Sequence, residues 1–390
     1  MAEALFVARK ERDGWLLFDT VRHSVTTVDE ARVNDLEAVG RIVRRIERPL
    51  VEGAMSAPLK LFLSVSNRCN LTCSHCMSDS SPAGRIEPTT EELLTLIDEA
   101  ADMGIFLIIV GGGEPLMRPD LWELVERMRS HNIGVSLTTN GTVLRDDDIR
   151  NFLKFQVRLN VSIDGGEQTH DRIRNRKGAF QRTVANMRRF IAAGVTPTIR
   201  FTLLHSNLAD VDEVLVLAQD LNVPIKPRRA KPAGRVLEGS DIITEPTPEY
   251  FAAVVKLNEA PNCGVEDLMN INAAAKDSLL LSDDDCGAGT RVMFVDERGI
   301  VSPCTFLGQD FESGTWRPGM LTDYWRSAPA FETMRNLVAN EECGTCSRHR
   351  TCHAECPAMR LHTSGRLDGP DPGCIKPLLV TLGAPRYKDV

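Results

Sequence analysis

Three cysteines stand within eight residues, Cys69-Asn70-Leu71-Thr72-Cys73-Ser74-His75-Cys76, spaced C-x3-C-x2-C. A loop that folds back on itself can aim all three sulfurs at one point. Three thiolates on one point make a metal site that lacks a ligand. Tetrahedral zinc would want a fourth protein ligand nearby. A cubane iron–sulfur cluster normally takes four thiolates. With three, one iron keeps a position open to a cofactor or substrate.

A second group fills the last third of the chain. Cys286 is followed by twelve residues, Gly299, four residues and Cys304; then comes Cys343-x2-Cys346-x5-Cys352-x3-Cys356-x17-Cys374. Zinc suits C-x2-C pairs, and so does an iron–sulfur cluster. The eleventh cysteine, Cys263, is isolated and reads as a plain buried thiol. The opening residues, Met1 to Lys10, carry neither the basic start nor the long apolar centre of a signal peptide. A cytoplasmic location is therefore expected, where an odd number of cysteines argues for metal ligation over disulfides. No run approaches a membrane span, so no membrane partner is expected. A net charge of −8 leaves no footprint for nucleic acid. Arg228, Arg229, Lys231 and Arg235 form a local basic cluster that reads as solvated surface or an anion contact.

The elements that must position these groups follow from the apolar pattern. With 390 residues, 42% hydrophobic, the chain can bury a large barrel-type core plus appendages. Strands are predicted near 61–66, 105–111, 134–139, 157–163, 197–204 and 223–227. Helices are predicted near 89–102, 119–131, 146–154, 179–193 and 208–221. This alternation implies parallel strands with crossover helices. The fold class is α/β: a partial, six-stranded (β/α) barrel over 59–235 whose site lies at the strand C-termini. Residues 1–58 read as a small β/α unit: strands at Ala4–Ala8, Trp15–Phe18 and Ser24–Val28, then one helix from Asp29 to Ile46. Residues 236–285 form a bridge with a helical stretch from Tyr250 to Leu257. Residues 286–390 hold the second cysteine group, with a hairpin at Arg291–Val295 and Ile300-Val301.

Polar motifs fall at the predicted strand ends. Gly111-Gly112-Gly113-Glu114-Pro115 ends the second strand, and its glycines let backbone come close to a ligand. Thr138-Thr139-Asn140-Gly141 ends the third; Asn-Gly alone is a turn. Val161-Ser162-Ile163-Asp164-Gly165 ends the fourth, where Ser162 and Asp164 share a face. His170-Asp171-Arg172-Ile173-Arg174 follows; Arg174 suits a bidentate carboxylate contact or a surface ion pair.

The three-cysteine loop between an apolar strand and the glycine–glutamate turn resembles the radical S-adenosylmethionine (SAM) superfamily. The seven C-terminal cysteines are similar in spacing to the SPASM domain that extends some of its members. The resemblance covers residues 59 to 380. It implies that Cys69, Cys73 and Cys76 hold a 4Fe-4S cluster whose open iron binds SAM. An electron from the cluster then cleaves SAM to methionine and a 5′-deoxyadenosyl radical, which abstracts a substrate hydrogen. Gly112, Gly113, Glu114, Asn140, Ser162, Asp164 and Arg174 inherit contacts to SAM: Glu114 to its ammonium, Ser162 to its ribose, Arg174 to its carboxylate. His75 stands where the family usually has an aromatic residue beside the adenine. Asp164 could instead contact substrate or cap its loop.

The same resemblance implies two auxiliary 4Fe-4S clusters, three in all. One takes Cys343, Cys346, Cys352 and Cys374. The other takes Cys286, Cys304 and Cys356, and the extra ligand usual before the first cysteine is missing in Leu281-Ser282-Asp283-Asp284-Asp285. Auxiliary clusters offer a route for a second electron, so the expected chemistry is a two-electron oxidation, started by an electron from a donor such as flavodoxin or ferredoxin. The glycine–glutamate turn, Cys286-Gly287-Ala288-Gly289 and the Leu367–Pro372 stretch look most like peptide-maturing members, mycofactocin maturases among them. A small precursor peptide is the expected substrate; the alternative is the secondary alcohol of a small polyol, an aminocyclitol or sugar, in antibiotic biosynthesis. Residues 1–58 resemble the first half of a leader-holding element, or a strand pair packed on the barrel. A scaffold that binds metal without cleaving SAM is a third class, opposed by the Glu114 turn. Asp164, His205, Arg228 and Arg229 near strand ends are the candidates for catalytic or substrate-facing side chains.

Overall fold

In a computed structural model the chain is described over residues 5–84, 87–239, 241–264, 286–338, 341–344 and 356–374. It opens with β1 (Phe6–Glu11), β2 (Gly14–Asp19), β3 (Val25–Val28), α1 (Glu30–Ala38) and β4 (Ile42–Ile46). These make a separate sheet ordered β3-β2-β1-β4, in which β4 runs parallel to β1. β4 corrects the single helix expected from Asp29 to Ile46. Asp29 does cap α1 by accepting from the Arg32 N–H, but the helix stops at Val39 and Gly40 follows at φ +69°. Beyond it, Ile42, Val43 and Ile46 are β-branched and suit a strand.

The middle of the chain alternates as expected: β5 (Lys60–Ser64), α2 (Thr90–Met103), β6 (Leu107–Gly111), α3 (Leu121–Ser130), β7 (Gly134–Thr139), α4 (Asp146–Lys154), β8 (Arg158–Ser162), α5 (Glu167–Ile173), α6 (Ala179–Ala192), β9 (Thr198–Leu203), α7 (Val211–Leu221) and β10 (Ile225–Arg229). Only α5 was not anticipated. All six strands are parallel and pair in chain order. Local chemistry sets the boundaries: α2 starts on a Thr89–Glu92 capping box and ends on left-handed Gly104. Alternate strand residues such as Leu61, Leu63, Ile108, Val110, Val161, Ile199 and Phe201 pack into one core with the helices. Their neighbours Ser64, Thr138, Ser162, Thr202 and Arg228 therefore face the barrel interior.

After α8 (Pro248–Glu259) and the undescribed residues 265–285, the chain returns to the sheet. The expected hairpin forms as β11 (Val292–Val295) and β12 (Ile300–Ser302), and β13 (Gly314–Thr315) adds to it. β11 pairs parallel with β5, Val292 opposite Lys60, so among the described residues the sheet has nine strands: β10-β9-β8-β7-β6-β5-β11-β12-β13. Trp325, fully buried, donates from Nε1 to the Met55 carbonyl, and Glu99 on α2 accepts from Trp316 Nε1 and the Gly319 and Leu321 N–H groups. No helix among the described residues is long and apolar enough to cross a membrane.

The N-terminal sheet docks on the foot of the barrel, where β6 and β7 begin. Phe18 stacks on Phe106 with centroids 5.3 Å apart. Arg9, fully buried, pairs with Glu11 at 2.8 Å and donates to the Ala57, Pro58 and Gly104 carbonyls. Removing the guanidinium leaves the buried Glu11 carboxylate with only its Ser56 donors and no cation, and takes a donor from three carbonyls. Arg9→Met is expected to cost about 3 kcal/mol, read as a lower urea midpoint; a shift under about 0.5 kcal/mol contradicts this role.

Candidate active site

Among the described residues, no helix or strand lies between β5 and α2, so the cysteine loop takes its shape from what grips it. The glycine turn after β6 grips from one side: Gly113 N donates to the Ser66 carbonyl at 2.6 Å and Glu114 N to the Arg68 carbonyl at 2.9 Å. Gly112 sits at φ +111°, and a Cβ there would meet Ser66 O at 2.3 Å; one on Gly113 would meet Arg68 O at 2.1 Å. The close approach these glycines allow is to the cysteine loop itself.

The end of β7 grips from a second side. Asn140 donates to the Asn70 side chain at 2.9 Å and reaches Cys69 Sγ at 3.8 Å, while Asn70 donates to Thr142 Oγ1 at 2.8 Å. α5 supplies a third: Ser74 N donates to the Ile173 carbonyl, and Arg174 Nη1 stands 3.6 Å from Cys73 Sγ. A fourth comes from Arg235, expected as solvated surface or an anion contact. Arg235 donates to the Cys73 carbonyl at 2.9 Å, the Ser80 carbonyl at 2.7 Å and Asp79 at 2.6 Å. A Cβ on its neighbour Gly234 (φ +60°) would meet Cys76 O at 2.2 Å. Asn70, Thr142, Gly234 and Arg235 carry no sequence signal of this role.

Cys69 and Cys73 are buried and Cys76 is partly so. Their sulfurs accept backbone N–H groups, Leu71 N to Cys69 and Ser80 N to Cys76, both at 3.4 Å. Burial pushes the Cys69 thiol up to about 12, with Cys73 and Cys76 among the lesser contributors. Without a cation Cys69 and Cys73 stay protonated, so a metal group that takes them as thiolates displaces protons. No three His, Cys, Asp or Glu side chains among the described residues are placed to share one metal ion. Three thiols packed together, with N–H donors at their sulfurs, fit a multi-iron cluster better than a single zinc.

Beside the triad, Asp164 is fully buried just past β8. Its Oδ2 lies 2.5 Å from Arg174 Nη2 and 3.5 Å from His75 Nε2, and its Oδ1 is 3.4 Å from Thr202 N. Burial alone would raise the Asp164 carboxyl; the Arg174 charge, together with His75, His170 and the Thr202 N–H, outweighs it and holds the group below the usual carboxylate range. His170, equally buried, accepts the Asp164 N–H on Nδ1 at 3.2 Å. Glu114 is buried too, accepting from Thr139 Oγ1 and Asn140 N at 2.8 Å and Leu116 N at 3.1 Å. Burial outweighs these donors and lifts its carboxyl to about 7. Three buried nitrogens here, His75 Nδ1, His170 Nε2 and Arg174 Nε, have no hydrogen-bond partner among the described residues.

Residues 63–218 match the model of the Radical SAM superfamily. The mycofactocin maturase MftC of Mycobacterium tuberculosis is 30% identical over 349 residues, covering 87% of this chain and 87% of that protein. The chain belongs to the radical SAM superfamily. Membership implies SAM and a 4Fe-4S cluster. The AdoMet-dependent heme synthase of Methanosarcina barkeri is 29% identical, covering 82% of this chain and 97% of that protein. SuiB of Streptococcus suis, in a crystal structure bound to its precursor peptide SuiA, shares the fold: TM-score 0.69 at 17% identity over 94% of this chain and 97% of that one.

The structure of this radical SAM enzyme thus gathers Cys69, Cys73, Cys76, His75, Gly112, Gly113, Glu114, Asn140, Asp164 and Arg174 at one end of the barrel. Ser162, half-buried, faces the interior in register with Arg200, and Arg228 faces it in register with Thr202. His205 is exposed on a 3-10 turn, and Arg229 turns away from the interior. In the C-terminal part, burial raises the Cys304 thiol and Cys286 and Cys356 add to it, so these three stand within electrostatic reach. Cys343 lies on the short helix Glu341–Gly344, and Cys374 N donates to the Asp371 carbonyl at 3.0 Å. Cys346, Cys352 and the stretch before Cys286 lie outside the described residues.

The three glycines of the turn are not equivalent. A Cβ on Gly111 meets nothing within 4 Å. Gly113→Ala is expected to lower stability by about 2 kcal/mol or more, because the atom it strikes is backbone. Gly111→Ala is expected to change it by less than about 0.5 kcal/mol. Equal melting temperatures for the two variants would contradict the docking of the loop on this turn.

Proposed function

We propose that this radical SAM enzyme is an oxidoreductase that modifies a small precursor peptide. The observation that carries the first half is the arrangement at the strand ends: three thiols packed together, two of them buried, a buried carboxylate at Glu114, and an Asp164–Arg174 pair with unpartnered nitrogens beside it. Bound to Cys69, Cys73 and Cys76, a 4Fe-4S cluster would supply the electron that cleaves SAM to methionine and a 5′-deoxyadenosyl radical. Glu114 would receive the ammonium of SAM and Arg174 its carboxylate. Gly112, Gly113 and Asn140 would line the site, Ser162 would face the ribose and His75 the adenine. Asp164 is assigned to orienting Arg174 and His75, since its Oδ2 lies against both. Arg228, facing the interior, is assigned to the substrate side; His205 is given no role.

Cys286, Cys304 and Cys356, and Cys343, Cys346, Cys352 and Cys374, would hold two auxiliary clusters as a SPASM domain. There they would accept the second electron of the oxidation, with a flavodoxin or ferredoxin as the initial donor. The peptide reading is supported by the likeness to a mycofactocin maturase across most of both chains and by a fold shared with a protein that binds a precursor peptide. The β3 edge of the N-terminal sheet is suited to holding an extended leader by strand addition.

Anaerobic reconstitution with iron and sulfide, then SAM and a strong reductant, tests the reading by mass spectrometry of 5′-deoxyadenosine. The nucleoside is expected from the wild type and not from Cys76→Ala. Equal yields from both, or no SAM binding by the iron-loaded wild type, would overturn it.

Glu114 adds a pH signature. Its carboxyl titrates at about 7, and the carboxylate is the form that pairs with an ammonium. SAM affinity is therefore expected to rise from about pH 6 to about pH 7.5, while the ammonium stays largely protonated. In Glu114→Gln the rise disappears and affinity at the upper pH falls about tenfold. Calorimetry that finds the same profile in both proteins removes Glu114 from the site.

A further inference from the structure

Away from the barrel mouth, one buried ion pair joins the last parallel strand to the C-terminal cysteines. Arg229, the final residue of β10, is 1% exposed and Asp371 is 4% exposed. Arg229 Nη2 lies 2.8 Å from Asp371 Oδ1. The same carboxylate accepts the Cys356 N–H on Oδ2 at 3.0 Å and the Gly373 N–H on Oδ1 at 2.7 Å. The Asp371 carbonyl accepts the Cys374 N–H at 3.0 Å. Gly373 leaves the space that the guanidinium fills, since a Cβ there would meet Arg229 Nη1 at 1.8 Å. One side chain thus fixes the backbone at Cys356 and is tied through its own residue to Cys374.

A buried charge pair is costly to desolvate, and apolar residues of similar volume are often as stable. Groups that orient metal ligands are the recurrent exception: their loss typically weakens metal binding 10- to 100-fold. We propose that Arg229 and Asp371 are positioning residues that set Cys356 and Cys374 as iron–sulfur ligands and anchor both to β10. This rests on the proposal that these two cysteines ligate auxiliary clusters. By that assignment Cys356 belongs to one cluster and Cys374 to the other, so one pair governs both. The triad is gripped by Arg174, Arg235 and Asn140 instead, so the two effects are separable.

The test uses the full chain, reconstituted anaerobically with Cys69, Cys73 and Cys76 changed to Ala, so that bound iron reports the C-terminal sites alone. Iron retained against a chelator, the EPR spectrum of the dithionite-reduced protein and the melting temperature before reconstitution are compared. Asp371→Asn is expected to lose iron about tenfold more readily and to lose or shift both auxiliary signals. Arg229→Lys keeps the charge without the planar fork and is expected to fall between. With the triad intact, both variants are expected to keep the triad's signal and its response to SAM. Cys356→Ala and Cys374→Ala serve as references. If they lose iron while Asp371→Asn keeps wild-type retention and spectrum, the positioning role is overturned and the ligand assignment stands. If they too keep all their iron, the ligand assignment fails and the pair's role fails with it. Should Asp371→Asn not fold, unchanged iron retention and EPR in Arg229→Lys would equally overturn the proposal.

Discussion

A loop with no secondary structure of its own must hold three thiols in a fixed arrangement, and the rest of the fold answers that constraint. The loop satisfies only part of its backbone internally, as where Cys69 N donates to the Ser81 carbonyl, and neighbours supply more. The glycine turn meets it backbone to backbone, β7 offers the Asn140 amide, α5 offers Arg174, and the 3-10 turn after β10 offers Arg235. Each grip comes from the C-terminal side of a different parallel strand. That is the geometry in which a (β/α) barrel brings distant residues to one place.

The same packing sets the electrostatics. Desolvation keeps Cys69 and Cys73 protonated, lifts Glu114 to about 7 and lowers His75, while the Arg174–Asp164 contact survives because its two charges face each other. Such a site is poised for charged groups that arrive together: a metal cluster that takes thiolates and a zwitterionic cofactor that meets a carboxylate and a guanidinium. At the foot of the barrel the N-terminal sheet seals the other end, with Arg9 as its anchor. On the flank, β11 continues the sheet from β5, so the cysteines that follow are built onto the same framework.

Much of this was legible in the residues. The six strands announced themselves as apolar runs between amphipathic helices, and Gly112, Gly113, Glu114 and Asp164 stood where strands end. The misreadings have physical causes. Ile42 and Ile46 fit a helical spacing as well as a strand, and only pairing with β1 decides between them. The union of β11 with β5 is a contact between residues far apart in sequence, and nothing local encodes it. Arg235 read as surface because its partners, the Cys73 and Ser80 carbonyls, are backbone atoms that no side-chain pattern reveals. His205 looked like a candidate by its place near a strand end, but the 3-10 turn that follows β9 carries it outward.

The central claim is that the thiol triad and the Glu114–Arg174 end of the barrel form one site for a cluster and SAM together. EPR of the anaerobically reconstituted, dithionite-reduced enzyme, recorded before and after adding SAM, addresses it most directly. The account predicts that SAM shifts the g-values of one signal, that this signal is absent in Cys76→Ala, and that Arg174→Gln needs more SAM to produce the shift. A triad signal indifferent to saturating SAM would contradict it.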